Sequence, residues 1–447
     1  MDILLVTPPR TRRQVVEETG ENLGVSYLAA VLRQKGHRVK ILDADLEGLK
    51  VDELARRITT TSFDVLGLSV IFASMVEPAR ALVGRLKDKD RYPIVAGGHV
   101  PSLSYRAFMA DLPDVDYVVR GEGEITFLKL VEGLDRGEAP GEIPGIAYRR
   151  EGEVHTTTGR SLVSDLDLLP PPARDTLGLA LKGPRPAATL LSSRGCYGDC
   201  SFCSINAFYR LSEGPRWRAH SPGRVVDEME KLHKDWGLTA VRFSDDNFIG
   251  PGRRGRERAE AIARELVRRR LRLDFTISCR ADDIEPDLFL LLKEAGLKQV
   301  FLGIESGVQR ALDSFNKKVS VQQNRRAVEI LDELGLDRVI GFILFDPDTT
   351  LDEFVRNVDF MQEIGLSWQS LNSRLDVMNR LEVYDGTPVA ERLRREGRLQ
   401  GTYTNYSYRI TDVRVEAIYR LLTTCQKGAF AAKGLFRRLV SGTGLGP

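Results

Sequence analysis

Short apolar runs alternate with amphipathic segments along about the first 135 residues of the chain. This alternation is typical of a parallel sheet covered by helices. The pattern predicts strands at Ile3–Thr7, Val39–Leu42, Val65–Val70, Ile94–Ala96 and Tyr117–Val119. It predicts helices at Leu23–Lys35, Asp52–Thr60, Val76–Lys87, Tyr105–Ala110 and Ile125–Gly133. The N-terminal third is therefore expected to be an α/β structure with a parallel sheet.

Polar or glycine-rich groups follow several of these strands. They are Pro8-Pro9, Ser69, Gly97-Gly98-His99 and Arg120-Gly121-Glu122-Gly123-Glu124. Five strand–helix units predict a doubly wound, flavodoxin-like sheet, in which ligands lie beyond the carboxyl ends of the strands. Glycine pairs at those ends allow a backbone to approach a large ligand without interference from a Cβ atom. The sequence thus predicts a binding site at this edge of the sheet.

A second set of strand candidates begins near residue 186, and residues capable of chemistry follow its strands. The predicted strands are Thr189–Ser192, Ala240–Ser244, Phe275–Ser278, Val300–Gly303, Val339–Leu344 and Leu371–Met378. The first leads into a cysteine-rich loop, and the next three lead into Asp245-Asp246, Cys279-Arg280 and Glu305. Functional residues at the carboxyl ends of successive parallel strands are what a βα barrel predicts. Strand alternation places Cys279 opposite Arg280, so we expect Cys279 to be structural.

The run Arg194-Gly195-Cys196-Tyr197-Gly198-Asp199-Cys200-Ser201-Phe202-Cys203, the cysteine loop, brings three thiols together. Four-iron clusters are normally held by four cysteine thiolates, so three cysteines leave one iron without a protein ligand. A zinc loop is the alternative, but it would need a fourth ligand, for which the nearest downstream candidate is His220. The spacing therefore predicts a [4Fe-4S] cluster on Cys196, Cys200 and Cys203.

This C-x3-C-x2-C segment resembles that of the radical S-adenosylmethionine (SAM) enzymes, and roughly residues 186–395 resemble their partial six-unit barrel. In that family the open iron chelates SAM, and one electron cleaves SAM to a 5′-deoxyadenosyl radical. The resemblance implies SAM contacts from Phe202 beside the adenine, Asp246 on the amino group, Arg280 on the carboxylate, Glu305 on the ribose hydroxyls or the amino group, and Phe345 in the apolar segment 341–345. It also implies an external electron donor such as flavodoxin or ferredoxin.

Parts of the N-terminal domain resemble the cobalamin-binding branch of this family. Ser69-Val70-Ile71 and Gly97-Gly98 are similar to the Ser-x-Leu and Gly-Gly elements of cobalamin-binding domains, and the segments ending at Pro9 and Glu124 match the same branch. The resemblance implies cobalamin contacts from Pro9, Gly24, Ser69, Ile71, Gly97, Gly98, His99, Gly121, Glu122 and Gly123.

One motif departs from the histidine-containing cobalamin fold. Where Asp-x-His-x-x-Gly should stand, the chain reads Thr19-Gly20-Glu21-Asn22-Leu23-Gly24, so the glycine is kept and Glu21 replaces the histidine. A carboxylate is a hard oxygen ligand that replaces imidazole on cobalt poorly. We therefore expect cobalamin without a histidine on its lower face, with an empty relic of the fold as the alternative. His99 is expected to bond to backbone in preference to cobalt.

The motifs divide the chain into four predicted parts. They are a cobalamin-binding domain at 1–140, a hairpin and linker at 141–185, a radical SAM barrel at 186–395 and a C-terminal helical region at 396–447. The hairpin is expected from Ile143–Arg149 and Glu153–Thr157. Two interpretations stay open for Tyr403, Tyr406 and Tyr408, which either line a substrate pocket or pack the barrel end.

Composition fits a cytoplasmic enzyme. The chain has 447 residues, 42% of them hydrophobic, and its formal net charge of +2 gives no support for nucleic acid or an anionic membrane as a partner. Five cysteines, three of them clustered, suit a reducing compartment better than a disulfide framework. The first apolar run is too short for a signal peptide, and no run of about 18 apolar residues predicts a membrane span.

These features predict a cobalamin-dependent radical SAM enzyme. The resemblance favours methylation of an unactivated carbon in a natural product or peptide, using the cluster, SAM and methylcobalamin. A cyclisation, rearrangement or oxidation with the same cofactors is the alternative, and a non-catalytic cobalamin-binding module is a further hypothesis. A methylthiotransferase would need another cysteine trio, and residues 1–195 contain no cysteine. The sequence names no catalytic acid or base.

Overall fold

Two α/β units make up the part of the chain that the computed structural model describes, residues 1–11, 20–86, 92–183, 187–366 and 380–427. A seven-stranded sheet forms the N-terminal unit. A five-stranded parallel sheet forms the second unit, with a two-stranded ribbon in addition. The predicted fold class, a doubly wound α/β domain followed by a parallel βα unit, is confirmed.

The N-terminal sheet contains strands β1 to β7. Their bounds are β1 Asp2–Thr7, β2 Arg38–Asp43, β3 Val65–Ser69, β4 Ile94–Gly97, β5 Tyr117–Val119, β6 Ile146–Arg150 and β7 Glu153–Thr156. The order across the sheet is β2-β1-β3-β4-β5-β6-β7, and the strands β1 to β5 run parallel. The direction of winding reverses between β1 and β3, so their carboxyl ends open a crevice there.

Helices cover both faces of this sheet. They are α1 Leu23–Gln34, α2 Ala44–Glu47, α3 Val51–Thr59, α4 Val76–Arg85, α5 His99–Leu103, α6 Tyr105–Asp111 and α7 Glu124–Arg136. Helices α1 and α7 share a core with Ile3 and Leu5, whereas Leu4 and Val6 on the opposite face share a core with α3 and α4. Alternate residues of β1 thus face different helix layers, which explains why the strand is apolar throughout.

The predicted hairpin extends the N-terminal sheet. Strand β6 pairs antiparallel with β5, and β7 pairs antiparallel with β6. Glu151 and Gly152 in the connecting turn have φ angles of 54° and 83°, the left-handed conformation that tight hairpin turns need. The local pattern predicts the hairpin. Its pairing with β5 is shown only by the tertiary structure, because helix α7 separates β5 from the hairpin in the sequence.

The second unit is built on five parallel strands. With the ribbon strands β9 and β10, their bounds are β8 Ala188–Leu190, β9 Ser193–Arg194, β10 Arg218–Ala219, β11 Ala240–Phe243, β12 Asp274–Arg280, β13 Leu297–Glu305 and β14 Asp337–Phe342. The order β8-β11-β12-β13-β14 follows the chain, as successive units of a βα barrel do. The predicted sixth strand at 371–378 lies outside the described residues, and Arg380 just after it forms a parallel bridge with Phe345.

Ten helices of the described residues accompany this second unit. They are α8 Leu177–Ala180, α9 Ser204–Tyr209, α10 Pro222–Trp236, α11 Gly252–Arg269, α12 Pro286–Glu294, α13 Gln309–Ser314, α14 Val321–Glu333, α15 Leu351–Glu363, α16 Pro388–Arg395 and α17 Val413–Lys427. Capping boxes at Ser320 and Thr350 begin α14 and α15. Among the helices described in either unit, none has the length and apolar character needed to cross a membrane.

Candidate functional site

The carboxyl ends of the N-terminal strands face the start of the barrel across a cavity of about 280 Å³. Most residues predicted to contact cobalamin line it, together with Asp246 of the barrel: they are Gly24, Ser69, Ile71, Gly97, Gly98, His99, Gly121, Glu122 and Gly123. Of the described residues predicted for the site, those outside the cavity wall are Pro9, Cys196, Cys200, Phe202, Cys203, Arg280, Glu305 and Phe345. The cavity therefore joins the two units at the predicted sheet edge.

The cavity continues from the strand ends into the N-terminal domain. Leu5, Gly67 and Val95 lie within β1, β3 and β4, and Phe127 lies on α7, yet all four line it. A Cβ atom at Gly67 would lie 2.6 Å from Leu5 Cδ2 and 3.4 Å from Phe127 Cζ, so glycine lets these side chains pack closely against β3 in the cavity wall. The apolar slot that these residues line fits a flat group between sheet and helix, such as the dimethylbenzimidazole tail expected for cobalamin without a histidine ligand.

Asn22 ties the cavity edge together. Its side-chain oxygen accepts a hydrogen bond from the Val25 amide at 3.3 Å and caps α1, while Nδ2 donates to Thr7 Oγ1 and Ser69 Oγ, both at 3.1 Å. Asn22 belongs to no predicted binding motif. An asparagine directly before an apolar helix is nevertheless a recognisable signal for a helix N-cap. The Ser69 hydroxyl is thus fixed by the protein, with its orientation set by Asn22.

Glu21, the residue at the position of the missing histidine, belongs to an interface between the two units. Its Oε2 accepts from Arg174 Nη1 at 2.5 Å, and Arg174 also binds Glu228 at 2.7 Å. Burial raises the pKa of Glu21 even though Arg174 opposes the shift. Glu21 lies outside the described cavity wall, so its carboxylate does not take the place of the histidine as a ligand.

The glycine pair at the end of β4 has two different roles. Gly98 has a φ angle of 106°, and a Cβ atom there would lie 2.5 Å from the Val70 carbonyl oxygen. Its neighbour Gly97 has no such constraint, because its Cβ atom would meet only Val119, at 3.8 Å. Close backbone packing therefore demands glycine at position 98, whereas at position 97 the absent side chain leaves the cavity open.

His99 and Phe208 of the second unit meet in the cavity wall. The two rings stack with centroids 4.3 Å apart, and burial lowers the pKa of His99 to about 4. Its Nε2 atom is buried and, within the described residues, has no hydrogen-bond partner. The expected backbone bond is therefore not made by this nitrogen. A neutral imidazole is thus packed against Phe208 at the junction of the two units.

The cysteine loop lies between β9 and α9, and its cysteines are free thiols. Burial raises the pKa of Cys196 to about 11 and of Cys203 to about 12, and it also raises the pKa of Cys200. The Gly198 amide donates to Cys196 Sγ at 3.4 Å. A Cβ atom at Gly198 would come within 3.4 Å of the same sulfur, so glycine keeps the loop open for a cluster.

The residues described contain no group of three His, Cys, Asp or Glu side chains arranged to hold a metal ion. The candidate fourth zinc ligand is also engaged elsewhere, because His220 Nδ1 contacts Asp167 at 2.9 Å and Nε2 contacts the Tyr27 hydroxyl at 3.4 Å. Each cysteine of a four-iron cluster binds a different iron, so a cluster needs its thiolates further apart than one ion does. The donor set fits a cluster better than zinc.

Arg280 reaches the cysteine loop from the end of β12. Its Nε and Nη2 bind the two oxygens of Asp282 at 2.8 and 3.1 Å, and Nη2 also donates to the Lys317 carbonyl at 2.6 Å. Nη1 lies 3.8 Å from Cys200 Sγ. Burial opposes the charge of Arg280, but Asp282 raises its pKa above the usual range. Its contact with the SAM carboxylate stays a prediction.

Glu305 ends β13 in an unusual conformation. Its φ angle of 66° is left-handed, and the register between β13 and β14 shifts beside it. Its Oε1 accepts from Lys317 Nζ at 2.9 Å, and Lys317 is buried. Sequence reasoning missed Lys317, which follows α13 and gives no motif signal. The ion pair with Lys317 therefore connects Glu305 to the surroundings of Cys200 in the cysteine loop. Its contact with SAM stays a prediction.

Asp245 and Asp246 follow β11 and have different environments. Asp245 accepts hydrogen bonds from Ser192 and Ser193 and is structural, whereas Asp246 faces the cavity and accepts from the Gly195 amide at 3.0 Å. Burial raises the pKa of Asp246 to about 6, with a contribution from the charge of Asp245. A carboxylate next to Cys196 and open to the cavity is placed to accept from an ammonium group.

The three remaining predicted residues lie in different surroundings. Phe202 packs edge-on against Phe315 with centroids 5.3 Å apart, close to the cysteine loop. Phe345 is fully buried in the barrel core and stacks on Phe354 at 5.5 Å. Pro9 follows β1 outside the cavity wall. The structure does not bring Phe345 and Pro9 to the cavity, and their cofactor contacts stay predictions.

Two arginines of the barrel ribbon bind carboxylates of the N-terminal domain. Arg218 holds both oxygens of Glu122 at 2.8 and 2.9 Å, and Arg194 reaches Glu122 at 3.1 Å and Glu124 at 2.6 Å. Burial would raise the pKa of Glu122, but the arginines hold it below its usual range. Because Arg194 lies two residues before Cys196, these pairs fix the cysteine loop against the cavity edge.

The C-terminal tyrosines pack the end of the barrel. Tyr408 donates to the Phe345 carbonyl at 3.1 Å, and Tyr406 donates to Asp385 at 2.8 Å. Tyr403 donates to Asp111 of the N-terminal domain at 2.9 Å. All three hydroxyls are used in these contacts, which favours the packing interpretation over a substrate pocket.

Comparisons with known proteins agree with this arrangement. The family model of the B12 binding domain matches residues 9–131, and that of the radical SAM superfamily matches residues 190–361. An uncharacterized methyltransferase of Pyrococcus horikoshii is 32% identical over 373 residues, which cover 82% of this chain and 79% of the relative. The chain belongs to the cobalamin-binding radical SAM enzymes. Membership in this family assigns cobalamin to the N-terminal domain, and SAM with a [4Fe-4S] cluster to the barrel.

Other members of the family differ in their named reactions. The anaerobic magnesium-protoporphyrin IX monomethyl ester cyclase of Synechocystis is 28% identical, covering 81% of this chain and 72% of the relative. The hopanoid C-3 methylase of Methylococcus capsulatus is 31% identical, covering 75% of this chain and 62% of the relative. Family membership alone therefore leaves the reaction open between methyl transfer and cyclisation.

Solved structures of this enzyme family share the fold. The cobalamin-dependent SAM radical enzyme OxsB, with aqua-cobalamin and SAM bound, aligns with a TM-score of 0.79 at 22% identity, covering 96% of this chain and 67% of that chain. The radical SAM methyltransferase TsrM of Kitasatospora setae aligns with a TM-score of 0.71 at 19% identity, covering 88% and 78%. The order of the two domains is thus that of other cobalamin-binding radical SAM enzymes.

Proposed function

We propose that this chain is a methyltransferase that transfers a methyl group to an unactivated carbon of a small natural product or a peptide. The observation that carries the proposal is the shared cavity. Its wall combines the glycine-rich ends of the N-terminal strands with Asp246 and Arg194 of the barrel. A substrate there would lie between both cofactor sites, as hydrogen abstraction and methyl transfer at one carbon require.

When bound, the cluster with SAM supplies a carbon radical, and cobalamin supplies the methyl group. The chain itself binds, orients and shields these groups. Cys196, Cys200 and Cys203 lose their protons to hold the cluster, and Asp246 accepts from the SAM ammonium. The apolar slot at Gly67 holds the cobalamin tail. No side chain is needed as an acid or base, so no catalytic residue is assigned beyond the cofactor contacts.

The named reactions of relatives support this proposal and also define its competitor. Methyl transfer is the named activity of the Pyrococcus and Methylococcus relatives, and cyclisation that of the Synechocystis relative. A cyclisation or oxidation would use the same cavity without moving a methyl group. We further propose the four-part domain division given above, and a flavodoxin or ferredoxin as electron donor.

The test uses SAM that carries a deuterated methyl group. If the chain is a methyltransferase, the label enters the product, and 5′-deoxyadenosine and S-adenosylhomocysteine form in comparable amounts. The reason is that each turnover consumes one SAM as a methyl donor and another as a radical source. Mass spectrometry of the product and chromatography of both by-products measure these quantities.

The control is a variant with Cys196, Cys200 and Cys203 changed to Ala, which should form no 5′-deoxyadenosine. An unlabelled product together with 5′-deoxyadenosine and no S-adenosylhomocysteine would contradict methylation and favour cyclisation or oxidation. Cobalamin uptake with no cleavage of SAM under any reducing condition would favour a binding module.

A further inference from the structure

The three thiols of the cysteine loop have different hydrogen-bond donors. Cys196 accepts from the Gly198 amide, and backbone amides of Ile205 and Asn206 serve Cys203. Cys200 is the buried member of the trio, and its donor is the guanidinium of Arg280 at 3.8 Å. A charged donor thus faces one sulfur, whereas neutral amides face the other two.

Arg280 is held in this position by several contacts. Asp282 binds its Nε and Nη2 edge, and the Lys317 carbonyl accepts a further bond from Nη2. The guanidinium also lies over the Tyr197 ring, 5.4 Å from its centroid. Because Asp282 binds the edge of the guanidinium formed by Nε and Nη2, Nη1 points away from the carboxylate and toward Cys200. The side chain is 7% exposed, so little water screens it.

Most of the donors of Arg280 are therefore used within the protein. A guanidinium has five N–H groups, of which Nε and Nη2 supply three. These three bind Asp282 and the Lys317 carbonyl. One N–H of Nη1 serves Cys200, which leaves a single N–H for any other group. This arrangement leaves no pair of parallel N–H groups for the carboxylate of a bound molecule. It does place positive charge next to the sulfur of Cys200, a predicted cluster ligand.

A second buried cation lies beside the same sulfur. Lys317 is 4% exposed, its ammonium pairs with Glu305, and its charge acts on the Cys200 thiol together with that of Arg280. A Cβ atom at Gly303 would come within 2.9 Å of Lys317 Nζ and 2.8 Å of Glu305 Oε1, so glycine leaves room for this pair. Both cations are thus built into the barrel behind Cys200.

We propose that Arg280, supported by Lys317, raises the reduction potential of the cluster by acting through the Cys200 sulfur. A one-electron donor such as reduced flavodoxin adds one electron to the cluster, which makes the cluster and its thiolates more negative. Hydrogen bonds to the sulfurs and nearby positive charge favour that reduced form. Because Arg280 acts through Cys200, it is a positioning residue. The proposal depends on the cluster and is independent of whether methyl transfer follows.

The test is a redox titration of the full chain with its cluster reconstituted, without SAM or substrate. Electron paramagnetic resonance measures the reduced cluster at set potentials. Arg280→Gln should lower the ratio of reduced to oxidised cluster at least tenfold at a given potential, which for one electron is a shift of about 59 mV. Arg326→Gln is the matched control, because this exposed arginine on α14 pairs only with surface glutamates in the described chain, and it should leave the ratio unchanged.

Arg280→Lys keeps the positive charge but cannot bind Asp282 through two parallel N–H groups. It should therefore lower the ratio of reduced to oxidised cluster by less than Arg280→Gln does. If Arg280→Gln does not assemble a cluster, the shift in Arg280→Lys decides. A ratio within threefold of the unchanged protein in whichever variant is measured overturns the proposal. An unchanged ratio combined with weaker SAM binding would overturn it in favour of a SAM-carboxylate contact.

Because the titration contains neither SAM nor substrate, its outcome is separate from that of the labelling experiment.

Discussion

The cavity wall of the N-terminal domain and the barrel region around the cysteine loop differ in how they are built. The cavity wall is largely apolar, with two glycines and a neutral histidine at Gly67, Gly97 and His99. The barrel region behind the cysteine loop lies outside this wall and is dense in paired charges, with Arg280 on Asp282 and Lys317 on Glu305. We infer that the first region recognises its ligand by shape and the second by charge.

This difference follows from the cofactors assigned to each domain. A flat, largely apolar cobalamin tail gains most from removing apolar surface from water, so its site needs room between sheet and helix. A reduced cluster and a zwitterionic SAM carry charge, so their site needs donors and acceptors held in place at low dielectric. Substitutions that change volume should therefore affect the cavity wall most, and substitutions that change charge should affect the region around the cysteine loop most.

The largest expected effect on cofactor binding comes from filling the cavity at Gly97. Gly97→Phe should lower cobalamin affinity by at least about tenfold, because the new ring occupies space at the cavity edge while backbone strain is absent at this position. Absorbance titration with cobalamin measures the affinity, and iron content shows that the cluster is kept. Gly84→Phe is the control, since Gly84 on α4 has open space around it. Equal affinities in the two variants would place cobalamin elsewhere.

On stability, the larger of two expected effects comes from the charged joint between the two units. Glu122→Gln leaves the buried Arg218 without its carboxylate and leaves Arg194 with Glu124 alone, and breaking such a buried pair costs about 3–5 kcal/mol. Thermal unfolding should show a clearly lower midpoint. Glu53→Gln, which removes an exposed pair with Arg57, should cost about 0–1 kcal/mol. Similar midpoints for both variants would mean that the joint does not hold the two units together.

The smallest effect concerns His99. Its folded pKa of about 4 lies below the unfolded value of 6.5, so the unfolded chain takes up the proton first as the pH falls. His99 therefore destabilises the folded protein increasingly from pH 6.5 down to pH 4 and has no such effect above that range. In His99→Phe, which keeps a ring against Phe208, the thermal midpoint should fall less steeply across this window. Exposed His155→Phe should leave the slope unchanged, and an equal slope for both variants would contradict a buried, neutral His99.

Local pattern was sufficient for the five parallel strands of the N-terminal sheet. The five predicted N-terminal strands agree with the observed ones to within one residue at each end, because strands buried on both faces are continuously apolar. The same pattern placed the hairpin but not its docking on β5. It gave no signal for Lys317, whose role depends on burial beside Cys200 and Glu305.

The buried ion pairs could not be predicted from the sequence. Glu122 was expected to contact cobalamin, which stays a prediction, and the structure also joins it to Arg194 and Arg218, which lie 72 and 96 residues away in the chain. Glu21 was expected only as the residue that replaces a missing histidine ligand. In the structure it pairs with Arg174, 153 residues away in the chain. No local periodicity links residues so far apart.

The sequence by itself determined the two-domain α/β order, and it predicted the three cluster cysteines and the sheet edge for a large ligand, because each depends on spacing along the chain. Only the tertiary structure decided that residues of both units line one cavity and that Arg280 turns its Nη1 toward Cys200. It also decided that His99 has a free buried nitrogen. The physical reason is that cavities and buried ion pairs arise where distant segments pack, and packing fixes which polar groups find partners.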